Sequence, residues 1–392
     1  MTEIIVQKYG GSSVADVAKL EQVADRVART AGEGRRVCVV VSAMGRTTDD
    51  LIRLARQITD SPPRRELDML LSTGERISMS LLAMAIQKRG LEAISFTGSQ
   101  SGIITNDRHS GARIIEVRPV RIQDELDRNK VVIVAGFQGM SYKREITTLG
   151  RGGSDTTAVA LAAALGATCE ICSDVDGVYT ADPRLVPGAH RLDSISYEEM
   201  QEMAEHGAKI LNAQAVEWAR KAGIHIYARA THAEGGGTRV GSESSGREAC
   251  GVAAAHGLVR LRLRADASVL GCVLAEAGAA LWRLADDSAG SVALFSTDDL
   301  PDWASLRQSL RDRFQAELEI TENLAAVSVV GTALGSANRS ARVLSEAARM
   351  GARVFGMDSS PLRITLLVRP EDTAPLVRLL HSVFLPEMAS GS

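Results

Sequence analysis

Over its first two-thirds the chain alternates short β-branched runs with longer helical patterns, and few folds accept that rhythm. Parallel neighbours need a crossover between them, which a helix supplies, so the pattern predicts a mostly parallel sheet covered on both faces. Strands are expected at 4–8, 37–42, 131–137 and 168–173. A helix is expected at 14–30, with Val14, Val17, Leu20, Val23 and Val27 on one stripe and Gly32 beyond its end. Another is expected at 75–88, stopped by Gly90, and Ser196 with Glu199 reads as a capping box opening a third. At 392 residues the chain exceeds one ordinary core, so two or three domains are expected.

Composition narrows the class. A net charge of −3 gives no field to gather nucleic acid or an anionic membrane. Five scattered cysteines fit a reducing cytoplasm. The stretch from Met1 to Val6 has no basic region and only a short apolar run, so neither a signal peptide nor a membrane span is expected. Cys169 and Cys172 form a lone CxxC in a predicted strand and read as buried small apolar residues. Arg260, Arg262 and Arg264 alternate with Val259, Leu261 and Leu263, as in a half-exposed strand. The seven histidines show no metal-ligand spacing.

Near residue 233 the composition changes. The glycines at 235–237 and the run from Gly241 to Gly246 predict a flexible domain boundary. Beyond it, strands at 259–264 and 327–331 lead into helical patterns at 269–284 and 341–349, which suggests two small α+β units.

Chemistry concentrates in four polar or glycine clusters at predicted strand ends, the edge where open parallel sheets bind ligands. Lys8-Tyr9-Gly10-Gly11-Ser12-Ser13 has the parts of a phosphate cradle, and reads equally as a tight turn with a solvated lysine. The segment from Thr147 to Thr157 holds three glycines, Arg151, Ser154 and Asp155 before a helix; Ser154 or Asp155 is expected to serve in part as its N-cap. It is neither a P-loop nor a dinucleotide fingerprint. The segment from Ser173 to Arg184 suits a ribose and adenine pocket, although alone its Asp-Gly and Asp-Pro are turn signals. Leu71-Ser72-Thr73-Gly74-Glu75-Arg76 places one acid in a first helical turn, where complementing the helix dipole is the commoner role.

Together, KYGGSSV, VVVSAMGRTTDDL, LLSTGERIS, VVIVAGFQG, TTLGRGGSDTT and CSDVDGVYTADPR stand in the order found in aspartate kinases. EEMQEMAEHGAKIL follows where that family has a lysine-bearing segment, and the chain resembles the family over about residues 3–240. The resemblance implies an α/β fold: the three-layer αβα sandwich of amino-acid kinases, then two small α+β ACT-like modules. The catalytic domain is expected at 1–240 and degenerate modules at 250–325 and 326–388, the region's first strand pairing with the second module.

The same resemblance implies ATP-dependent phosphorylation of the L-aspartate side-chain carboxylate, the first step toward lysine, threonine and methionine. Position by position, Lys8, Gly10, Gly11 and Ser12 resemble the cradle for the transferred phosphoryl group. Ser42, Thr47 and Thr48 resemble part of the aspartate pocket, and Glu75 the acid that holds the substrate amino group. Arg151 matches the arginine that grips a substrate carboxylate, with Gly152, Gly153 and Ser154 completing that pocket. Ser173, Asp174, Tyr179, Asp182 and Arg184 resemble nucleotide-binding positions, and Lys209 a second lysine at the phosphates. Asp155 is expected to orient the lysines, because a β-carboxylate is already ionised at neutral pH and needs no general base. ATP and Mg²⁺ are the implied cofactors, the metal held through the phosphates. The implied assembly is a homodimer or higher homo-oligomer through the ACT-like region.

This chain departs from the family pattern in three respects. Ser12 and Ser173 stand where threonine is common, and Asn212-Ala213-Gln214 where His-Pro-Arg is frequent. The effector turns of ACT modules usually carry Asp-x-Pro-Gly, and neither 266–271 nor 332–339 has it, so weak or absent feedback by lysine and threonine is expected. Two alternatives are a kinase of another acidic amino acid, such as glutamate or N-acetylglutamate, and a catalytically inactive regulatory subunit. Arg151 with Glu75 argues against the first, and intact Lys8, Arg151, Asp155 and Lys209 against the second.

Overall fold

A computed structural model describes residues 3–232, 235–244, 246–288, 290–297, 300 and 303–385. The chain forms two compact units; the first takes residues up to 178, 191–204 and 209–244. Its elements are β1 (Ile4–Tyr9), α1 (Val17–Gly32), β2 (Arg36–Val41), α2 (Thr47–Ile58), α3 (Arg64–Leu71), α4 (Thr73–Gln87), β3 (Ala93–Phe96), β4 (Ile103–Thr105), β5 (Ile114–Val117) and α5 (Val120–Asp127). Then come β6 (Val131–Ala135), β7 (Gln138–Ser141), β8 (Ile146–Thr148), α6 (Gly153–Leu165), β9 (Thr168–Ser173), β10 (Ser194–Ser196), α7 (Tyr197–Glu205), α8 (Ala213–Ala222), β11 (Ile226–Ala230) and β12 (Thr238–Gly241).

Eight strands form one sheet in the order β10-β12-β11-β9-β1-β2-β6-β3. Every neighbouring pair is parallel except β11 with β12. The central strands are covered on both faces, which is why β2 and β6 are continuous valine-rich runs rather than alternating ones. Leu20, Val23 and Val27 of α1 pack with Val37, Val39 and Val41 of β2 and with Leu82 and Ile86 of α4. The expected stripe is therefore the buried face, except at its start. Asp16 caps α1 by accepting the Lys19 N–H at 2.9 Å, and this leaves Val17 exposed and Val14 before the helix. The capping box is present: the Ser196 hydroxyl accepts the Glu199 N–H at 3.1 Å, and Glu199 accepts the Ser196 N–H at 3.0 Å.

The expected boundary stretch is only partly linker: the first unit continues through 244 and the second resumes at Gly246, at the end of that stretch. Gly235, Gly236 and Gly237, all at positive φ, lie in the connection between β11 and β12, and β12 is paired inside the sheet. Ala233, Glu234 and Ser245 of that expected linker lie outside the described residues.

A second sheet of this unit, β5-β4-β7-β8, leads the chain from β6 toward α6. It is tied to α3 by Asp68, which is fully buried. Asp68 accepts the Thr148 hydroxyl at 2.5 Å and the Ser110 N–H at 3.1 Å, and lies 2.6 Å from Nδ1 of His109. The run Arg64–Gln87, which spans α3 and α4, is long and apolar enough to cross a membrane by length and composition. It is nevertheless 56% buried in its most apolar stretch and carries Asp68 and Glu75 hydrogen-bonded within the unit, so it is a core element.

The second unit takes 179–190, 205–208 and residues from 246 onward. Its elements are β13 (Gly251–Leu263), α9 (Ala267–Ala277), β14 (Leu281–Asp287), β15 (Gly290–Ser296), α10 (Trp303–Phe314), β16 (Leu318–Val330), α11 (Ala337–Arg349), β17 (Gly356–Ser360), β18 (Arg363–Val368) and α12 (Pro370–Phe384). They form one antiparallel sheet, β14-β15-β13-β16-β18-β17. Residues 251–255 of β13 pair with 326–330 of β16, and after a register shift 258–263 pair with both β15 and β16. The helix expected at 269–284 ends early, because Gly278 adopts the left-handed conformation (φ 82°) and the chain turns into β14.

Replacing Asp68 by alanine strips the buried Thr148 hydroxyl, the Ser110 N–H and the His109 ring of their shared acceptor. It is expected to lower the stability of the first unit by on the order of 3 kcal/mol, read from the urea midpoint. A midpoint equal to wild type would contradict this.

Candidate active site

The neighbouring parallel strands β9, β1, β2 and β6 end along one edge of the sheet. Lys8, in the last turn of β1, is not solvated. Its Nζ lies 2.6 Å from Oδ1 of Asp155 in the first turn of α6, and both side chains are nearly nine-tenths buried (12% and 11% exposed). The contact is an ion pair without hydrogen-bond alignment. After β1 the chain must pass close to the loop after β2. A Cβ on Gly11 would lie 2.9 Å from the Ala43 carbonyl oxygen, and the Gly45 N–H donates to the Gly11 carbonyl at 3.0 Å. At Gly10 a Cβ would stand 3.4 Å from the Lys8 ammonium, so glycine leaves that ammonium accessible. Ser12 is exposed, whereas Ser13 is buried.

On the β2 side, Gly74 lets α4 begin against Ala43, since a Cβ there would come within 2.8 Å of the alanine Cβ. The approach seats Glu75, which is 3% exposed; its Oε1 accepts the Ala43 N–H at 3.0 Å. The other oxygen, Oε2, has no hydrogen-bond partner. Burial raises the Glu75 pKa to about 7. Ser42 is fixed through its carbonyl, which accepts the Ser78 hydroxyl at 2.7 Å. Thr47 and Thr48 open α2 half-buried, the Thr47 hydroxyl donating to the Met44 carbonyl at 2.6 Å.

The glycine-rich segment turns through Gly150 and Gly152, both left-handed (φ 77° and 70°). Gly152, not Ser154 or Asp155, occupies the N-cap of α6, and no side chain caps that end, which corrects the expected role of those two residues. Ser154 instead packs on Gly136, where a Cβ would come within 2.7 Å of its hydroxyl, and Asp155 faces Lys8. Gly153 is buried, while Arg151 and Gly152 are exposed. The first turn of α6 has no side-chain cap and stands beside the exposed Arg151, an arrangement that can receive an anion. Asn212 holds the segment in place. Its amide donates to the Arg151 carbonyl at 3.0 Å while its oxygen caps α8 through the Gln214 N–H at 2.9 Å. Lys209 is exposed three residues earlier.

At the end of β9 the Ser173 hydroxyl makes a local turn with Val175 at 3.1 Å, and Asp174 is exposed. The Ser173 carbonyl accepts the Thr231 hydroxyl at 2.9 Å, and Thr231 bonds Ser13 at 2.7 Å, which joins the β1 and β9 loops. Tyr179, Asp182 and Arg184 stand in the second unit, where Arg184 is folded onto Asp182 at 2.7 Å. Among the described residues no group of three or more His, Cys, Asp or Glu is placed to hold a metal ion.

Several of these positions carry no signal of their own in the sequence. Gly74 and Gly136 lay inside motifs read for other residues, and Asn212 stood out only as a departure. Thr231 had no local signal, since 218 residues separate it from Ser13.

The family model for the amino acid kinase family matches residues 3–228. The aspartokinase of Corynebacterium efficiens is 42% identical over 406 residues, covering 97% of this chain and 96% of that protein. The aspartokinase of Mycolicibacterium smegmatis is 57% identical over 239 residues, which is 60% of this chain but only 57% of the length of that relative. The crystal structure of E. coli aspartokinase III with aspartate and ADP (R-state) matches with a TM-score of 0.85 at 26% identity, covering 97% of this chain and 99% of the other. This chain belongs to the amino acid kinase family and, within it, to the aspartokinases.

The Glu75 carboxyl gives a pH signature. Its negative charge is lost as the pH falls through about 7, so the expected role of Glu75 in holding a substrate ammonium predicts a pH-dependent KM. Between about pH 8 and about pH 6 the KM for the amino-acid substrate is expected to rise roughly tenfold while kcat changes little. Glu75→Gln should have a high KM that no longer varies over that range; an unchanged profile in the variant would contradict the assignment.

Proposed function

We propose that this protein transfers the γ-phosphoryl group of ATP to the side-chain carboxylate of L-aspartate, giving 4-phospho-L-aspartate and ADP. The observation that carries the reading is the pairing of two charged sites on one sheet edge. The Lys8–Asp155 ion pair and the buried Glu75 carboxylate, with one oxygen unpartnered, are linked through the close contact of Gly11 with Ala43. The first suits a moving phosphoryl group and the second the ammonium of a free amino acid. The aspartokinase relatives, among them a structure holding aspartate and ADP, support the same substrates.

In this reading the substrate carboxylate, already ionised, attacks the γ-phosphorus as the bond to the ADP oxygen breaks, and no proton has to be removed. Asp155 fixes the Lys8 ammonium, and Lys8 and Lys209 neutralise charge on the transferred group. Glu75 holds the α-ammonium. Arg151 grips the α-carboxylate as a two-pronged donor at the start of α6, with Gly152, Gly153 and Ser154 beside it and Ser42, Thr47 and Thr48 across the pocket. Gly10, Gly11 and Ser12 line the phosphates, and Ser173, Asp174, Tyr179, Asp182 and Arg184 serve the nucleotide. Magnesium, bound through the ATP phosphates, supplies further charge neutralisation.

We assign residues 1–240 to catalysis and 250–325 and 326–388 to two ACT-like modules in a cytoplasmic enzyme of lysine, threonine and methionine synthesis. The sheet edges β14 and β17, unpaired among the described residues, support assembly into a homodimer or larger homo-oligomer. Both effector loops favour weak feedback. The Asp266 carboxylate is engaged in capping α9 through the Ser268 N–H at 2.8 Å, and Leu334 is buried with its N–H donated to the Pro361 carbonyl at 3.1 Å.

Hydroxylamine trapping of an acyl phosphate tests the activity. Hydroxamate is expected from ATP with aspartate and not with glutamate or N-acetylglutamate; none with any of the three would overturn the reading in favour of an inactive subunit. Titration with lysine and threonine to about millimolar levels, the range of weak effector sites, should leave the rate nearly unchanged. Cooperative inhibition by either would refute the weak-feedback assignment.

A further inference from the structure

We propose that a buried hydrogen bond between Thr180 and His381 fixes the segment Tyr179–His190, and with it Tyr179, Asp182 and Arg184, for nucleotide binding. The inference rests on reading Tyr179, Asp182 and Arg184 as nucleotide positions. These three stand in Tyr179–His190, a segment that leaves the first unit and is built into the second. Thr180 is its anchor. Fully buried, it places its hydroxyl 2.9 Å from Nε2 of His381 on α12, 201 residues downstream. Its carbonyl accepts the Val252 N–H at 2.7 Å, its N–H donates to the His190 carbonyl at 3.0 Å, and its hydroxyl accepts the His190 N–H at 3.2 Å. Ala181 and Val186 of the same segment pack into the core with Leu376, Val377 and Leu380 of α12.

His381 is only 4% exposed, on the apolar face of its helix, where an unpartnered imidazole would be costly. The His190 ring lies edge-on to it with centroids 6.4 Å apart, and Arg247 contacts Nε2 of His190. Burial lowers the pKa of both imidazoles, which favours neutral rings at pH 7. Neither histidine has a part in the transfer chemistry, so a binding role for the pair must run through Thr180. Glu205–Ala208 is anchored in the same manner just before Lys209: His206 packs edge-on to Trp282 at 4.8 Å, and a Cβ on Gly207 would meet the Ala254 carbonyl at 2.0 Å. Both short segments that the second unit claims therefore adjoin residues assigned to the nucleotide. His381 and Thr180 are positioning residues for it.

The test compares His381→Leu and Thr180→Val with His381→Gln, whose amide can replace Nε2. Steady-state kinetics give the KM for each substrate, calorimetry gives the Kd for ADP, and circular dichroism confirms folding. His381→Leu and Thr180→Val are expected to raise the KM for ATP and the Kd for ADP roughly tenfold, with the KM for aspartate and kcat within about twofold and the Gln variant close to wild type. Unchanged ADP affinity in the folded variants would overturn the proposal while leaving the kinase reading intact, as would KM values for both substrates rising together. A wild-type protein that binds no ADP would overturn the nucleotide reading and the proposal with it.

Discussion

An ammonium and a carboxylate 2.6 Å apart, both nearly nine-tenths buried at the end of a central strand, set the terms for the catalytic unit. Removing two charges from water costs more than their attraction readily returns, so a buried pair of this kind is poor evidence of stabilisation. It makes sense as preorganised charge. To bring Lys8 and Asp155 together, β1 must lie inside a parallel sheet with its end facing the start of α6. The chain must also reach α6 through a segment that turns twice at left-handed glycines. Gly11, Gly74 and Gly136 answer the same requirement, because each marks a place where two loops or a loop and a helix approach too closely for a side chain.

Much of this arrangement was legible in the sequence because it is local. A strand that ends in glycine and lysine before a helix announces both its topology and its chemistry, and β9 begins and ends where its β-branched and cysteine run does. Contacts between distant segments were not legible. The Ser13–Thr231–Ser173 bridge joins three strand ends through hydroxyls that look like ordinary turn residues in their own surroundings. Asn212 read as a loss from the family pattern, yet its amide links the Arg151 backbone to the start of α8. Glycine misled in both directions. At 235–237 it joins two paired strands instead of marking a linker, and at 278 it ends a helix whose apolar pattern continues into β14.

The interleaving of the units has a physical consequence that a linear list of domains would hide. Two short segments, Tyr179–His190 and Glu205–Ala208, are covalently continuous with the kinase unit but take their packing from the other. Whatever loosens the second core acts on them directly, without any need for a long relay.

The central claim is that Lys8, held by Asp155, carries charge stabilisation in the transition state. Its most direct test is kcat for Lys8→Ala at saturating aspartate and ATP, on protein shown to be folded. The account predicts a fall of at least about a hundredfold, on the order of 3 kcal/mol of lost transition-state stabilisation, with the KM for aspartate little changed. Near-normal turnover in that variant would contradict it.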